Sequence, residues 1–150
     1  MNKNIELLNE VIDDIDKIKD SEWVSTLNSR KIKELEFHDR DRTHQQSDNQ
    51  VDEKTEGDTF EKFYSNKKYY KIVNRSNSFV QNWIKKESKN NIFLDYACGN
   101  GVNARIAAAS GASLSLGFDI SGVSIKNSIK FAKEEKLENI RFFQADAENT

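Results

Sequence analysis

The chain contains no proline, one cysteine and six glycines in 150 residues. Each shortage excludes something. A single thiol, Cys98, forbids an internal disulfide, and with two histidines in the whole chain there is no ligand set for a structural zinc, so no metal is expected. A lone cysteine suits a reducing compartment, and the expected location is the cytoplasm. No stretch approaches the roughly 20 apolar residues of a membrane span. The opening residues, MNKNIELLNE, hold no apolar run of signal-peptide length. A formal charge of only -2 provides no long-range attraction to nucleic acid or anionic lipid, so neither is expected as a partner. The few glycines are also concentrated, five of the six lying between Gly99 and Gly122. That segment is where the backbone needs unusual freedom.

Residues 1–90 read as a helical N-terminal region interrupted by a polar loop at about 39–58. From Asn2 to about Ile32, Ile5, Leu8, Ile12 and Ile15 recur at helical steps between charged residues. A helix packed on its own domain is the plain reading; a short dimerising coiled coil is the alternative, although heptads run barely two. The stretch DRDRTHQQSDNQVDEKTEGD, with Val51 as its one aliphatic residue, is expected to be a solvated loop that includes His44. Aromatic residues then return at Phe60, Phe63, Tyr64, Tyr69, Tyr70, Phe79 and Trp83. Ile72, Val73, Phe79, Val80, Trp83 and Ile84 fit a helix packed on a core. Lysines alternate with these aromatics as in a nucleic-acid patch, but neighbouring acids cancel the charge.

From Asn91 onward the texture changes. Ile92–Leu94 is a short buried-strand run, followed by Gly99-Asn100-Gly101 and an alanine-rich helix from Val102 to Ser110. Leu114–Ile120 predicts a second strand, Ser121 a helix cap, the following residues a helix to about Lys136, and Ile140–Gln144 a third strand. This is the order of a βαβαβ unit, which requires a parallel sheet with all three strand ends on one rim.

The segment FLDYACGNGVNA, Phe93 to Ala104, carries the chemistry. A strand enters a glycine turn, and the turn opens a helix whose free N–H groups face any ligand above it. Gly99-Asn100-Gly101-Val102-Asn103-Ala104 satisfies the glycine fingerprint of NAD-binding folds, so the turn alone leaves the cofactor open. Two acids separate the readings. Asp95 sits in the first strand, four residues before Gly99. A carboxylate there is costly unless partnered, and the cationic amino group of S-adenosylmethionine would partner it, whereas NAD offers nothing comparable. Asp119 follows Gly101 by 18 residues, where an acid reaches ribose hydroxyls in either case. Asp146 ends the third strand in FFQADAEN, placed to accept from an adenine amino group. Replacing Asp119 by alanine should weaken cofactor binding at least tenfold, with asparagine milder.

These motifs together resemble the class I S-adenosylmethionine-dependent methyltransferases over about Asn91 to Asn149. The resemblance implies an α/β, Rossmann-like parallel sheet, its first βαβαβ half, behind the helical N-terminal region. It implies S-adenosyl-L-methionine as cofactor, held by Asp95, Ala97, Cys98, Gly99, Asn100, Gly101, Asp119, Ile120, Asp146 and Ala147. It implies methyl transfer to a small-molecule acceptor, and leaves the acceptor, the catalytic residues and the oligomeric state open. The family's first loop glycine is Ala97 here, where close packing rather than a left-handed backbone is the expected demand. Cys98 is expected to be a small packing residue, not a nucleophile. KELEFHDR (Lys33–Arg40) and FEKFYSNKKYY (Phe60–Tyr70) are similar to the lid regions of small-molecule methyltransferases, which would turn His38 and Tyr64 toward cofactor or substrate. A surface or capping histidine and a core tyrosine are the plainer alternatives.

The family's sheet has seven strands, and residues 91–150 supply three, so the sequence reads as a partial domain whose own activity is open. Strand one should then carry an open apolar edge, leaving the chain loosely folded, self-associating or covered by its N-terminal helices. A non-catalytic binding relic is the leading alternative, an NAD-dependent oxidoreductase the more distant one.

Overall fold

A computed structural model describes residues 3–18, 20–43 and 67–148. Helices α1 (Lys3–Asp16), α2 (Asp20–Ser25), α3 (Ser29–Thr43) and α4 (Lys67–Glu87) precede β1 (Ile92–Tyr96), α5 (Val102–Ala109), β2 (Leu114–Asp119), α6 (Gly122–Glu134) and β3 (Ile140–Gln144). The zone of helical pattern from Asn2 to about Ile32 is divided among three helices. Short hydroxyl side chains end α2: Ser25 donates to the Glu22 carbonyl at 2.6 Å and Thr26 to the Trp23 carbonyl at 2.7 Å. Such local bonds compete with helix continuation. Asn28 then restarts the helix, its Oδ1 accepting the Arg30 and Lys31 N–H groups, each at 3.1 Å. Helix α3 runs through Thr43, so the expected polar loop does not begin at Asp39. Residues 44–58 and Tyr64 lie outside the described residues.

The three strands are parallel, in the order β1-β2-β3. Their register divides the side chains between two faces. On one face Phe93, Ser115, Ile140 and Phe142 meet α5 and α6, whose Ala104, Ala108, Ile125 and Ala132 are buried in the same core. The alanines allow α5 to lie close: the Ser115 hydroxyl reaches the Ala104 carbonyl at 2.8 Å. On the other face Leu114, Leu116 and Phe143 pack against Ile5, Leu8 and Ile12 of α1. Arg141 pins that helix by bonding Asp13 at 2.8 Å and Asp16 at 3.1 Å. The periodic stripe on α1 therefore serves its own domain.

The cover given by α1 stops short of β1, the edge strand of the described sheet. Ile92, Leu94 and Tyr96 share the face with Leu114 and Leu116, yet they remain 40%, 52% and 53% exposed. Among the described residues, the N-terminal helices leave this edge open. Helix α4 also departs from expectation. In its last turn Ile84 is buried with Ala107 and Ala112, while the side chains of Ile72 and Val73 lie outside the described residues. Phe79, Val80 and Trp83, expected inside, are exposed, Phe79 by 74%.

Candidate cofactor site

The turn after β1 is built from three left-handed residues in five: Ala97 at φ 57°, Gly99 at 53° and Gly101 at 71°. Ala97 therefore does occupy the strained region, contrary to the expected packing role. The turn demands it because the Cys98 N–H must reach the Phe118 carbonyl at 2.8 Å while Gly101 folds back on the Cys98 carbonyl at 2.9 Å. Ala97→Gly should raise stability by roughly 1 kcal/mol, the relief of the left-handed alanine less the entropy that glycine adds to the unfolded chain. Thermal unfolding of the variant checks this; a lower midpoint would contradict it.

Gly101 caps α5 without a side chain. Asp95 supplies the missing acceptor from the neighbouring strand, its Oδ2 taking the Ala104 N–H at 3.1 Å. Burial nevertheless holds the Asp95 carboxyl above the ordinary aspartate range, and the nearby charge of Asp119 adds to this, against the Ala104 and Asn103 hydrogen bonds. The acid is partnered but not fully compensated. Cys98 behaves as the packing residue expected. Its half-buried thiol is pushed far up by burial, then by Asp95 and Asp119, and a β-carbon on Gly117 would lie only 3.1 Å from its sulfur.

At the end of β2, Asp119 binds two turns at once. Its Oδ2 accepts the Gly99 N–H at 2.8 Å and its Oδ1 the Ser121 N–H at 2.9 Å. Ser121 then caps α6 as expected, accepting the Ser124 N–H at 3.0 Å. At the end of β3, Asp146 is buried, with Oδ1 accepting the Glu148 N–H at 3.0 Å and Oδ2 bonded to the Lys31 ammonium. Burial alone would raise the Asp146 carboxyl; Lys31, the Glu148 N–H and Arg30 together hold it below the ordinary value. Tyr96 crosses the rim to donate its hydroxyl to the Ala147 carbonyl, its ring edge-on to Phe118 at 4.6 Å.

Helix α3 roofs this rim and is fastened at both ends. Arg30 grips Glu148 at 2.6 Å and Lys31 bonds Asp146. Nine residues on, the Asp39 carboxylate accepts the Ser121 hydroxyl at 2.5 Å and the Val123 N–H at 3.3 Å. Beneath the roof lies a cleft of about 230 Å³. Ala97, Gly99, Asp119 and Ile120 form one side, Asp146, Ala147 and Glu148 another, and Glu34 and His38 the roof. His38 is among the residues that line the cleft. Asp95, Cys98, Asn100 and Gly101, also expected to hold the cofactor, are not among the residues that line the cleft; Asn100 accepts from Asn127 at 3.4 Å. Sequence reasoning missed Lys31, Glu34, Ser124 and Glu148. Glu34 and His38 are one helical turn apart, a signal that was available; Lys31 and Asp146 are separated by 115 positions, and nothing periodic links them. A larger cavity of about 340 Å³ lies between α1, α2, α6 and β3, lined by Ile15, Trp23, Ile129 and Phe142 among others. It gathers none of the three strand-end acids.

A glycine turn between strand and helix, followed by acids at successive strand ends, is the arrangement in which α/β folds can bind nucleosides. The comparisons name the class. Residues 87–150 match the family model of a methyltransferase domain. No curated protein matches the chain. Solved structures similar to it include the Trypanosoma brucei PRMT1 enzyme–prozyme heterotetrameric complex with AdoHcy, 28% identical with a TM-score of 0.45, covering 49% of this chain and 23% of that one. The YcgJ protein of Bacillus subtilis is 26% identical with a TM-score of 0.43, covering 47% and 31%. An rRNA methylase from Streptococcus thermophilus is 16% identical with a TM-score of 0.44, covering 48% and 40%. The chain spans less than half the length of each of these proteins.

Proposed function

We propose that the chain binds S-adenosylmethionine in the cleft beneath α3 and, as part of a methyltransferase, delivers the methyl group to a small-molecule acceptor. One observation carries this reading: the glycine turn, Asp119 and Asp146 converge on a single cleft within the methyltransferase segment. Asp119 would accept the ribose hydroxyls with the lone pairs its two N–H donors leave free. Asp146 would accept from the adenine amino group beside Ile120 and Ala147. Asp95, Ala97, Cys98, Gly99, Asn100 and Gly101 would frame the amino-acid end, with the Asp95 charge favouring a cationic amino group. The cleft is small for a whole cofactor by the usual roughly 300–1,000 Å³ of ligand sites, and suits its nucleoside half.

The bound cofactor would supply an electrophilic methyl group, so the chain's own contribution is alignment and exclusion of water. The α3 roof restricts access, which favours a small acceptor over a polymer. His38 on that roof stands where it could face the acceptor. Among the described residues no helix is long and apolar enough to cross a membrane, and the lone thiol favours a cytoplasmic setting.

Calorimetric titration tests the cofactor choice. S-adenosylhomocysteine should bind and NAD should not; NAD binding with no response to S-adenosylhomocysteine would sink the reading. Asp95→Asn gives a sharper consequence. A raised carboxyl contributes stability below its unfolded value, and that contribution is lost as pH rises through the folded value. At neutral pH the ionised Asp95 is therefore a liability without ligand, and asparagine can still accept the Ala104 N–H. The variant should unfold at the same temperature or up to about 4 °C higher, yet bind S-adenosylhomocysteine about tenfold more weakly through loss of a charge-assisted bond. Unchanged affinity would remove Asp95 from the site.

A further inference from the structure

Lys31 is a side chain that the cofactor reading leaves without a task. It is charged, its side chain is only 7% exposed, and it comes from the N-terminal helical region rather than from the methyltransferase segment. Its ammonium bonds Asp146, itself 7% exposed, and lies 3.3 Å from Glu148. Burying two charges is unfavourable unless each has the other, so the pair stands or falls together. We infer that Lys31 is a positioning residue that keeps Asp146 ionised, and so makes this pocket select a 6-amino purine over a 6-oxo purine. The inference rests on the reading of the cleft as an adenosine site.

The chemistry follows from what a carboxyl can do in each state. Ionised, Asp146 only accepts hydrogen bonds, which suits the exocyclic amino group of adenine and repels a 6-oxo oxygen. Protonated, it carries a donor and can serve the 6-oxo group instead. Which state prevails depends on the charges around it. From α3 come Lys31 and Arg30 as cations, with Glu34 and His38 on the roof; from its own turn comes Glu148, and from β2 Asp119. Arg30 is engaged with Glu148 and Glu34. Lys31 alone among these cations touches Asp146 directly. Without it a buried carboxyl would face mainly other acids, and neutralisation is then the cheaper state. The Glu148 N–H bond would persist and keep the turn in place.

The test uses the full chain and two ligands, S-adenosylhomocysteine and S-inosylhomocysteine, the 6-oxo analogue. Wild-type protein should prefer the first about tenfold or more at neutral pH, because a buried group made for one partner rejects its opposite. Lys31→Met should cut that preference to about threefold or less, and the preference should return as pH rises. In the ligand-free protein the carboxyl carbon resonance of Asp146 should titrate below the ordinary range in wild type and higher in the variant, where burial acts without the Lys31 charge. Lys31→Arg should restore both properties. Lys31→Gln keeps a donor without the charge, so it should retain the fold and still lose the preference, which covers failure of the methionine variant to fold. An unmoved Asp146 titration, or a moved titration with the preference intact, overturns the inference while leaving the cofactor site standing. Failure of the wild-type protein to bind S-adenosylhomocysteine overturns the cofactor reading itself, and the inference with it.

Discussion

Asp119→Ala is expected to abolish most cofactor affinity and to loosen the glycine turn in the same stroke. The carboxylate accepts N–H groups from Gly99 and Ser121, so it ties the first turn to the start of α6. Leaving a buried N–H without a partner costs about 1–3 kcal/mol. Asp119 is half-buried, so water recovers part of this, and a loss of about 2–4 kcal/mol is expected for the pair of N–H groups. Affinity for S-adenosylhomocysteine should fall by more than about tenfold, combining the lost ribose acceptor with the misplaced turn. Urea unfolding and calorimetry measure the two separately. The structure also changes the expectation for Asp119→Asn. An amide offers one oxygen where two are used, and turns its NH2 toward an N–H donor. Asparagine should therefore resemble alanine rather than spare the site. An asparagine variant with wild-type stability would show that one of the two backbone bonds is dispensable.

Gly101→Ala should be the most damaging single methyl group in the fold. Gly101 sits at φ 71°, where alanine costs about 1–2 kcal/mol. A β-carbon there would also lie 2.6 Å from the Phe142 ring and 2.9 Å from the Ser128 hydroxyl. Overpacking of this kind adds about 1–3 kcal/mol. The sum, about 2–5 kcal/mol, is a large part of the roughly 5–15 kcal/mol that holds a domain together. The two contributions can be separated. Phe142→Leu in the Gly101→Ala background should recover part of the urea midpoint by opening the ring's space, while the backbone share remains. If Gly101→Ala alone leaves the midpoint unchanged, the left-handed cap at Gly101 is not what holds α5 to the turn.

The parts of the fold that were legible in the sequence are those governed by local pattern. Ile140–Gln144 forms the third strand at its expected bounds, and Ser121 caps α6, because alternation and capping act over a few residues. The glycine turn and its three acids were legible for the same reason: strand, turn and helix follow one another directly. What escaped was set by partners distant in the chain. Ala97 looked like a packing residue because its strain arises from the Cys98–Phe118 bond, which only the assembled sheet creates. Phe79 and Trp83 have the spacing of a buried face, but among the described side chains of α4 it is Ile84 that reaches the core. The division of the first helical zone was written in Ser25, Thr26 and Asn28, whose side chains prefer nearby backbone to helix continuation. The fastening of α3 by Lys31 and Asp39 could not be read at all, since an ion pair across 115 positions and hydrogen bonds across 82 and 84 leave no periodic trace.

Amide chemical-shift mapping during titration with S-adenosylhomocysteine tests the site assignment most directly. The shifts should concentrate at Ala97 to Gly101, at Asp119 and Ile120, and at Asp146 and Ala147, with His38 and its neighbours on α3 responding across the cleft. Shifts centred instead on Ile15, Trp23 and Ile129, around the larger apolar cavity, with the glycine turn silent, would contradict it.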